Sequence, residues 1–371
     1  MLQNKIYKNY FIEIFKTFLT ILFSLTVIAW TVRAVNFLDL IVENGYPIFT
    51  YFQYSFLNLF GVLTKFIPLS FLLGLTLFII KQIQDNEFVI LWTSGVKKIE
   101  IVNLFFIISV FIAILYLLFS TFLTPVALNK SRQLLGNEKL TSFLPTVRVQ
   151  QFSDSFSGLT YIVDEKYEKQ VKNIFLHDTS NILKNISSKK SNNISTTIIA
   201  ENGIIEDDRM VLFNGQIMSI NKNQMENDLI KFTKLNIGLN NLRNNTIKKA
   251  KVQETSTLKL IACLTNNSFK DSDCKGNFKK EVLPTLNRRV ILPFFIPVIA
   301  LISSLLLIKN KNKIYLNKIV IFSYSFLILL TVELTIRYTG INAFINKTLI
   351  ASPFFLSVFL YFFLKVKFFK E

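Results

Sequence analysis

Six stretches of this chain are apolar almost without a break, and between the third and the fourth the hydrophobic pattern changes its period. The six are Phe11–Ala34, Ile48–Ile80, Ile101–Leu123, Val290–Ile308, Ile319–Arg337 and Thr348–Leu364. Crossing ~30 Å of hydrocarbon takes ~20 predominantly apolar residues in a helix. Each stretch is therefore read as a membrane span, the last being barely long enough. The second would reach ~50 Å if helical throughout, so its first turns are expected to stand above the membrane, with Pro47 suited to a first helical position.

From Thr146 onward the period becomes two. Val147, Val149 and Gln151 alternate with other residues, and strands are predicted over 159–163, 171–176, 196–200, 210–213, 216–220 and 229–237. Turn residues separate them at Asp154–Gly158, Glu201–Gly203 and Asn214-Gly215. The Ser/Asn/Lys stretch Asn185–Asn193 reads as a loose loop. Short strands joined by short turns point to an antiparallel sandwich or open barrel.

Composition sharpens this picture. Hydrophobic residues make up 51% of the 371 positions and charged residues 18%, and the mean hydropathy is +0.42; together these argue against a soluble enzyme. The net charge of +18 accompanies a surplus of Phe, Ile, Asn and Lys. Because drift in base composition produces the same surplus, the charge is not taken as a sign of nucleic-acid binding. Its distribution is more telling. Of the charged residues, 23 of 42 basic and 15 of 24 acidic ones lie in Lys130–Lys280, so the chain reads as membrane, polar insert, membrane.

Lys and Arg concentrate on the cytoplasmic side of short loops. Lys5, Lys8 and Lys16 precede the first span, Lys81, Lys97 and Lys98 follow the second, Lys309, Lys311, Lys313 and Lys318 follow the fourth, and Lys365, Lys367 and Lys370 close the chain. With six spans these share one side. Both termini are then cytoplasmic and the insert lies outside. The first apolar run is too long for a cleaved signal peptide and has no small-x-small site before Asn36, so it is read as an uncleaved helix. Cys263 and Cys274 fall in the exterior part, where an oxidising compartment permits a disulfide; two free thiols are the other reading.

Catalytic motifs are missing. There is no G-x-x-x-x-G-K-[ST], H-E-x-x-H or G-x-S-x-G, and the sole histidine, His177, stands beside Asp178 at a predicted strand end. That placement fits a structural histidine and gives no metal-ligand spacing. The connection between spans two and three carries a different signal. Asp85 is placed as an N-cap and Gly95 as a stop, framing a short helix in which Phe88, Leu91 and Trp92 share one side and Glu87 opens the first turn. Such a helix either rests on the membrane surface or serves as a coupling helix that an ATPase subunit grips.

The segment Gln84-Asp-Asn-Glu-Phe-Val-Ile-Leu-Trp-Thr-Ser-Gly95 resembles the corresponding segment of the LptF/LptG family, permease subunits of the lipopolysaccharide exporter. Trp30-Thr-Val-Arg-Ala-Val-Asn-Phe-Leu-Asp-Leu-Ile-Val-Glu-Asn-Gly45 is similar to that family's first-span exit, in its LptF branch. Thr285-Leu-Asn-Arg-Arg289 is similar to its re-entry motif, with Asn287 where the family usually has His. The order of three spans, insert and three spans is also shared. The resemblance implies a half-transporter that pairs with a second, LptG-like chain and binds two copies of a cytoplasmic, LptB-like ATPase. It further implies that lipopolysaccharide is drawn from the outer leaflet of the bacterial inner membrane, through outer β-jellyroll domains, toward a periplasmic LptC/LptA-like bridge. No cofactor is then expected in this chain, ATP being used by the partner. By resemblance Asp85, Glu87, Phe88, Leu91, Trp92 and Gly95 form the coupling element, and the first and fifth spans open laterally.

Three basic residues stand at membrane depth. At ~1.5 Å per helical residue, Arg33 is ~25 Å above Lys16, Lys65 ~23 Å above Ile80 and Arg337 ~27 Å above Ile319. A level of cations there suits the phosphates of a lipid headgroup, since charge in a membrane must be paired or face a wet cavity. Arg33 and Arg337 can instead snorkel, and Glu333, four residues before Arg337, can neutralise it on the same face. Lys65 has no acidic residue within a turn and ranks first. The expected fold is thus a six-span helical membrane protein (3+3) with a periplasmic β-jellyroll-like domain. Residues 1–129 hold spans one to three with the coupling helix near 85–95, 130–280 the β domain with its connections, and 281–371 spans four to six. A membrane-anchored scaffold whose β domain binds a partner without moving lipid is the alternative function, and a single-chain secondary lipid transporter a third.

Overall fold

The computed structural model describes residues 2–42, 46–137, 147–156, 158–179, 194–206, 209–221, 227–238, 251–265, 278–308 and 314–369. The predicted loop 185–193 and Cys274 lie outside these. Two compact units emerge. The first comprises Met1–Val32, Leu57–Asn129 and Ala250–Glu371, and the second Arg33–Phe56 and Lys130–Lys249.

Among the described residues, six helical stretches are long and apolar enough to cross a membrane: Lys5–Ile41, Ile48–Gln84, Lys98–Leu135, Lys280–Leu307, Ile319–Tyr338 and Ala343–Phe368. All six predicted spans are present. The helices are α1 (Leu2–Asn36), α2 (Asp39–Val42), α3 (Ile48–Gln84), α4 (Glu87–Thr93), α5 (Lys98–Leu118), α6 (Thr124–Asn137), α7 (Thr257–Thr265), α8 (Phe278–Val290), α9 (Phe295–Ser304), α10 (Ile314–Tyr338) and α11 (Ala343–Phe369).

In the first unit α9 is apolar nearly all round, and each of its ten residues is buried, the placement such a helix requires. Phe18, Phe71, Phe105 and Phe295 are core side chains here, with Phe78 and Phe105 meeting edge to face at 6.2 Å. Membrane helices gain little from hydrophobic burial against one another and rely on close approach. Gly74 supplies that approach: a Cβ there would stand 3.2 Å from the Phe18 backbone. By contrast, only 17% of the apolar window in each of the last two spans is buried, leaving most of α10 and α11 to face lipid or another chain.

Irregularities next to the candidate functional site interrupt these helices at two places. Between α5 and α6 the chain widens into a π-turn, Phe119–Leu123, whose loosened carbonyls are available to other partners. Between α8 and α9 lies a 3₁₀ turn, Leu292–Phe294. Pro293 has no N–H for the Arg289 carbonyl four residues back, so α8 stops at Val290.

The second unit contains one six-stranded antiparallel sheet in sequential order: β1 (Ser153–Phe156), β2 (Leu159–Tyr167), β3 (Gln170–Asp178), β4 (Ile194–Ile205), β5 (Arg209–Asn221) and β6 (Asn227–Gly238). The expected β domain is present, its described strands following one another in sequence as an antiparallel meander. β1 was not anticipated, while the Val147–Gln151 segment is stitched to β2 by a parallel bridge between Val149 and Val163.

Two predicted turns prove to lie inside strands. Asn173 and Asn214 adopt left-handed backbone, at φ 50° and 51°, a region asparagine tolerates better than most residues. The register passes from Val163–Ile174 to Glu165–Lys172 in one ladder and from Ala200–Gly215 to Asn202–Phe213 in another, so Asp164, Asn173, Glu201 and Asn214 form a row without ladder pairing. The alternation slips along this row. Val163, Ile174 and Ala200 are buried on one side of it and Val171, Leu212 and Gly203 on the other, with two exposed positions between them instead of one. This crease is what made 201–203 and Asn214-Gly215 look like turns. Its polar edge is tied by Asn173 Nδ2 donating to Asp164 Oδ2 at 3.2 Å.

Candidate functional site

The C-terminal end of α8 is a junction at which consecutive residues grip different elements. Asn287 donates to Asn346 Oδ1 of α11 at 2.7 Å. The Arg288 guanidinium pairs with Glu333 of α10, with Nε also 3.4 Å from the second carboxylate oxygen. Arg289, only 6% exposed, donates to the Gln253 carbonyl at 2.8 Å and to the Thr255 carbonyl and Thr257 Oγ1 at 3.0 Å. The carbonyls freed at this helix end are also satisfied. Tyr116 Oη donates to that of Arg288 and Ser120 Oγ to that of Arg289, both at 3.0 Å, and Thr257 Oγ1 in turn donates to the Thr121 carbonyl of the π-turn at 2.9 Å. The segment after residue 250 is thereby fastened to the helices, which places 251–265 in the first unit.

Beside this junction lies a cavity of about 420 Å³. Lys65, Arg288, Arg337 and Glu333 line it together with Tyr116, Pro68, Leu69, Leu292, Phe326, Leu329, Leu330 and Leu334. Three cations face one carboxylate in a leucine-rich setting, so the site suits an amphiphile bearing anionic groups. Pro68 withholds the N–H that would bond the Thr64 carbonyl one turn earlier, loosening α3 next to Lys65.

At the connection between α3 and α5, α4 ends in a Schellman arrangement: Gly95 takes φ 90°, its N–H bonds the Trp92 carbonyl at 3.2 Å, and the Val96 N–H bonds that of Leu91 at 3.1 Å. Asp85 is not the cap. The helix opens behind Asn86, left-handed at φ 56° and without a side-chain cap bond, because the chain must reverse sharply after Gln84. The face carrying Phe88, Leu91 and Trp92 turns inward. Phe88 is 1% exposed and meets Tyr10 edge-on at 6.3 Å; Trp92 stacks on Phe88 and has the Lys98 ammonium 4.9 Å from its ring centre. Glu87 remains exposed, and Val89 and Ile90, at 47% and 64% exposed, form an apolar patch on the outer side of the knob.

A family model, lipopolysaccharide export system permease LptF/LptG, matches residues 10–365. The chain belongs to the LptF/LptG family. Among curated proteins no relative matches it. Membership makes this a multi-pass inner-membrane protein and a transport component of the lipopolysaccharide export system rather than an enzyme.

Of the three basic residues ranked from sequence, the LptF/LptG fold brings Lys65 and Arg337 to one cavity. Arg33, exposed near the end of α1, falls in the second unit. Glu333 was read as able to neutralise Arg337 on the same helix face; among the described residues it pairs with Arg288 of α8. Tyr116 and Ser120 were not singled out in advance, and Arg288 and Arg289 entered only as part of the re-entry motif. The one available signal was the Arg288-Arg289 pair at the mouth of a span, where charge is costly without partners. Cys263 on α7 is disulfide-bonded.

Proposed function

We propose that this chain is one of two transmembrane subunits of an ATP-driven exporter that extracts lipopolysaccharide from the inner membrane and passes it to a periplasmic bridge. The cavity carries this reading: cations for headgroup phosphates sit directly beside apolar walls for acyl chains. A second permease chain would close against the exposed faces of α1, α10 and α11. A cytoplasmic ATPase dimer would hold the outer side of α4, through the Glu87 carboxylate and the Val89–Ile90 patch, while Phe88 and Trp92 pass the motion to the spans. The lysine distribution supports cytoplasmic termini and a periplasmic sheet, and the sheet would receive the lipid in transit.

The test uses the complex of this chain with its second permease chain and ATPase in nanodiscs. A photoreactive residue at Leu69 or Leu330 is expected to crosslink lipopolysaccharide, and ATP with a soluble bridge protein is expected to deplete the crosslink. Lys65→Glu should reduce it more than Lys65→Ala, because like charge in a poorly hydrated site is weakly screened. A crosslink absent, or insensitive to ATP, would overturn the exporter reading in favour of a scaffold. Separately, Ile90→Asp should release the ATPase on purification.

A further inference from the structure

Resting on the reading just given, we propose that Glu333 is a resident anion, holding Arg288 while the cavity is empty and ceding it to a phosphate of the arriving lipid. Arg288 is only partly exposed, its side chain at 27%, and an arginine in such a setting needs a counter-charge at all times. Glu333 supplies one through the fork that a phosphate also fits. A phosphomonoester carries nearly two negative charges near neutral pH, against one for the carboxylate, so it is the stronger competitor. A neutral or zwitterionic headgroup is not.

Displacement leaves Glu333 needing a partner, and Arg337 is placed to provide one. It stands four residues on, on the same face of α10, lines the same cavity, and has no recorded hydrogen bond or ion pair among the described residues. Exchange then conserves pairing: Arg288 passes from Glu333 to phosphate while Glu333 passes to Arg337. The reverse step gives the loaded cavity a means of releasing its cargo, because the returning carboxylate replaces the phosphate on Arg288. Glu333 is thus a positioning residue that sets how tightly phosphate is held and how readily it leaves.

The experiment measures binding and dissociation of bis-phosphorylated lipid A, and of the same lipid enzymatically stripped of phosphate, on the intact complex in nanodiscs. Glu333→Gln is expected to tighten phosphorylated lipid A about tenfold, the worth of one charged hydrogen bond, to slow its release and to lower transport per ATP. It should leave the stripped lipid unaffected, and Glu333→Asp should restore release. Arg337→Gln, at an exposed position, is expected to weaken phosphorylated lipid A in wild type but to have no further effect in the Glu333→Gln background. Equal losses in both backgrounds would make Arg337 a direct phosphate contact and overturn the exchange, as would unchanged or weaker binding in Glu333→Gln. If the wild-type complex binds neither lipid, the failure belongs to the exporter reading instead.

Discussion

The helical unit and the sheet unit are held together by different parts of the chain. In the sheet, five successive ladders join strands through backbone groups, and side chains contribute mainly an apolar core of residues such as Tyr161, Ile198, Leu212 and Ile217. In the helical unit most backbone groups bond within their own helix, as lipid demands, so contacts between helices involve side chains. Among the described residues these include polar clusters, one at the end of α8, where Asn287, Arg288 and Arg289 each reach another element, and one between α1 and α3, where Glu13 meets Lys81 and Gln82. A deletion should therefore be felt most through lost apolar volume in the sheet and through lost polar partners in the helices.

Leu212→Ala offers the largest contrast. Leu212 is fully buried, and truncation there should destabilise the sheet by about 3 kcal/mol through lost burial and the cavity left behind. Hydrogen exchange on the full chain in nanodiscs should show β4, β5 and β6 losing protection with α9 unchanged; loss in α9 as well would mean that the units do not respond separately. Next is Arg289→Met, which keeps most of the apolar stem but strands two carbonyls and a hydroxyl, at a cost of about 2 kcal/mol. Exchange should rise over 251–265, and a variant as stable as wild type would remove the polar junction from its place in the comparison.

Ser120→Ala is expected to cost about 1 kcal/mol, one neutral hydrogen bond to a carbonyl that Pro293 leaves without its helical partner. If the π-turn exists to present that hydroxyl, Pro293→Ala in the same background should recover part of the loss, measured by thermal unfolding in detergent. The smallest effect belongs to Lys166 in the sheet. Burial pushes its ammonium below the ordinary lysine value of 10.5, so the unfolded chain binds the proton more firmly. Stability should consequently rise as pH climbs through the folded value toward 10.5, and Lys166→Met should flatten that slope in an alkaline titration followed by sheet exchange. An identical slope would show that this lysine is hydrated like its neighbours.

Some of this was legible in advance. Six apolar runs gave six spanning helices, Gly95 stopped α4, and β2, β3 and β6 lie where alternation placed them. The errors have specific causes. Asn214-Gly215 carries turn chemistry, yet left-handed asparagine inside a strand uses the same backbone region as a turn, and pairing with β4 and β6 resumes on both sides of it, so the strand continues through the crease. The stripe of Phe88, Leu91 and Trp92 was read correctly as one face, but a periodic pattern does not say whether that face meets a partner or the protein's own core.

Length and period alone determined the membrane architecture, because solvation by lipid or water acts on each segment through its own residues. Which cation meets which carboxylate was decided only by tertiary structure. Arg288 and Glu333 are 45 positions apart, and their pairing, like the meeting of Lys65 and Arg337 in one cavity, depends on how α3, α8 and α10 pack, through contacts that no local pattern encodes.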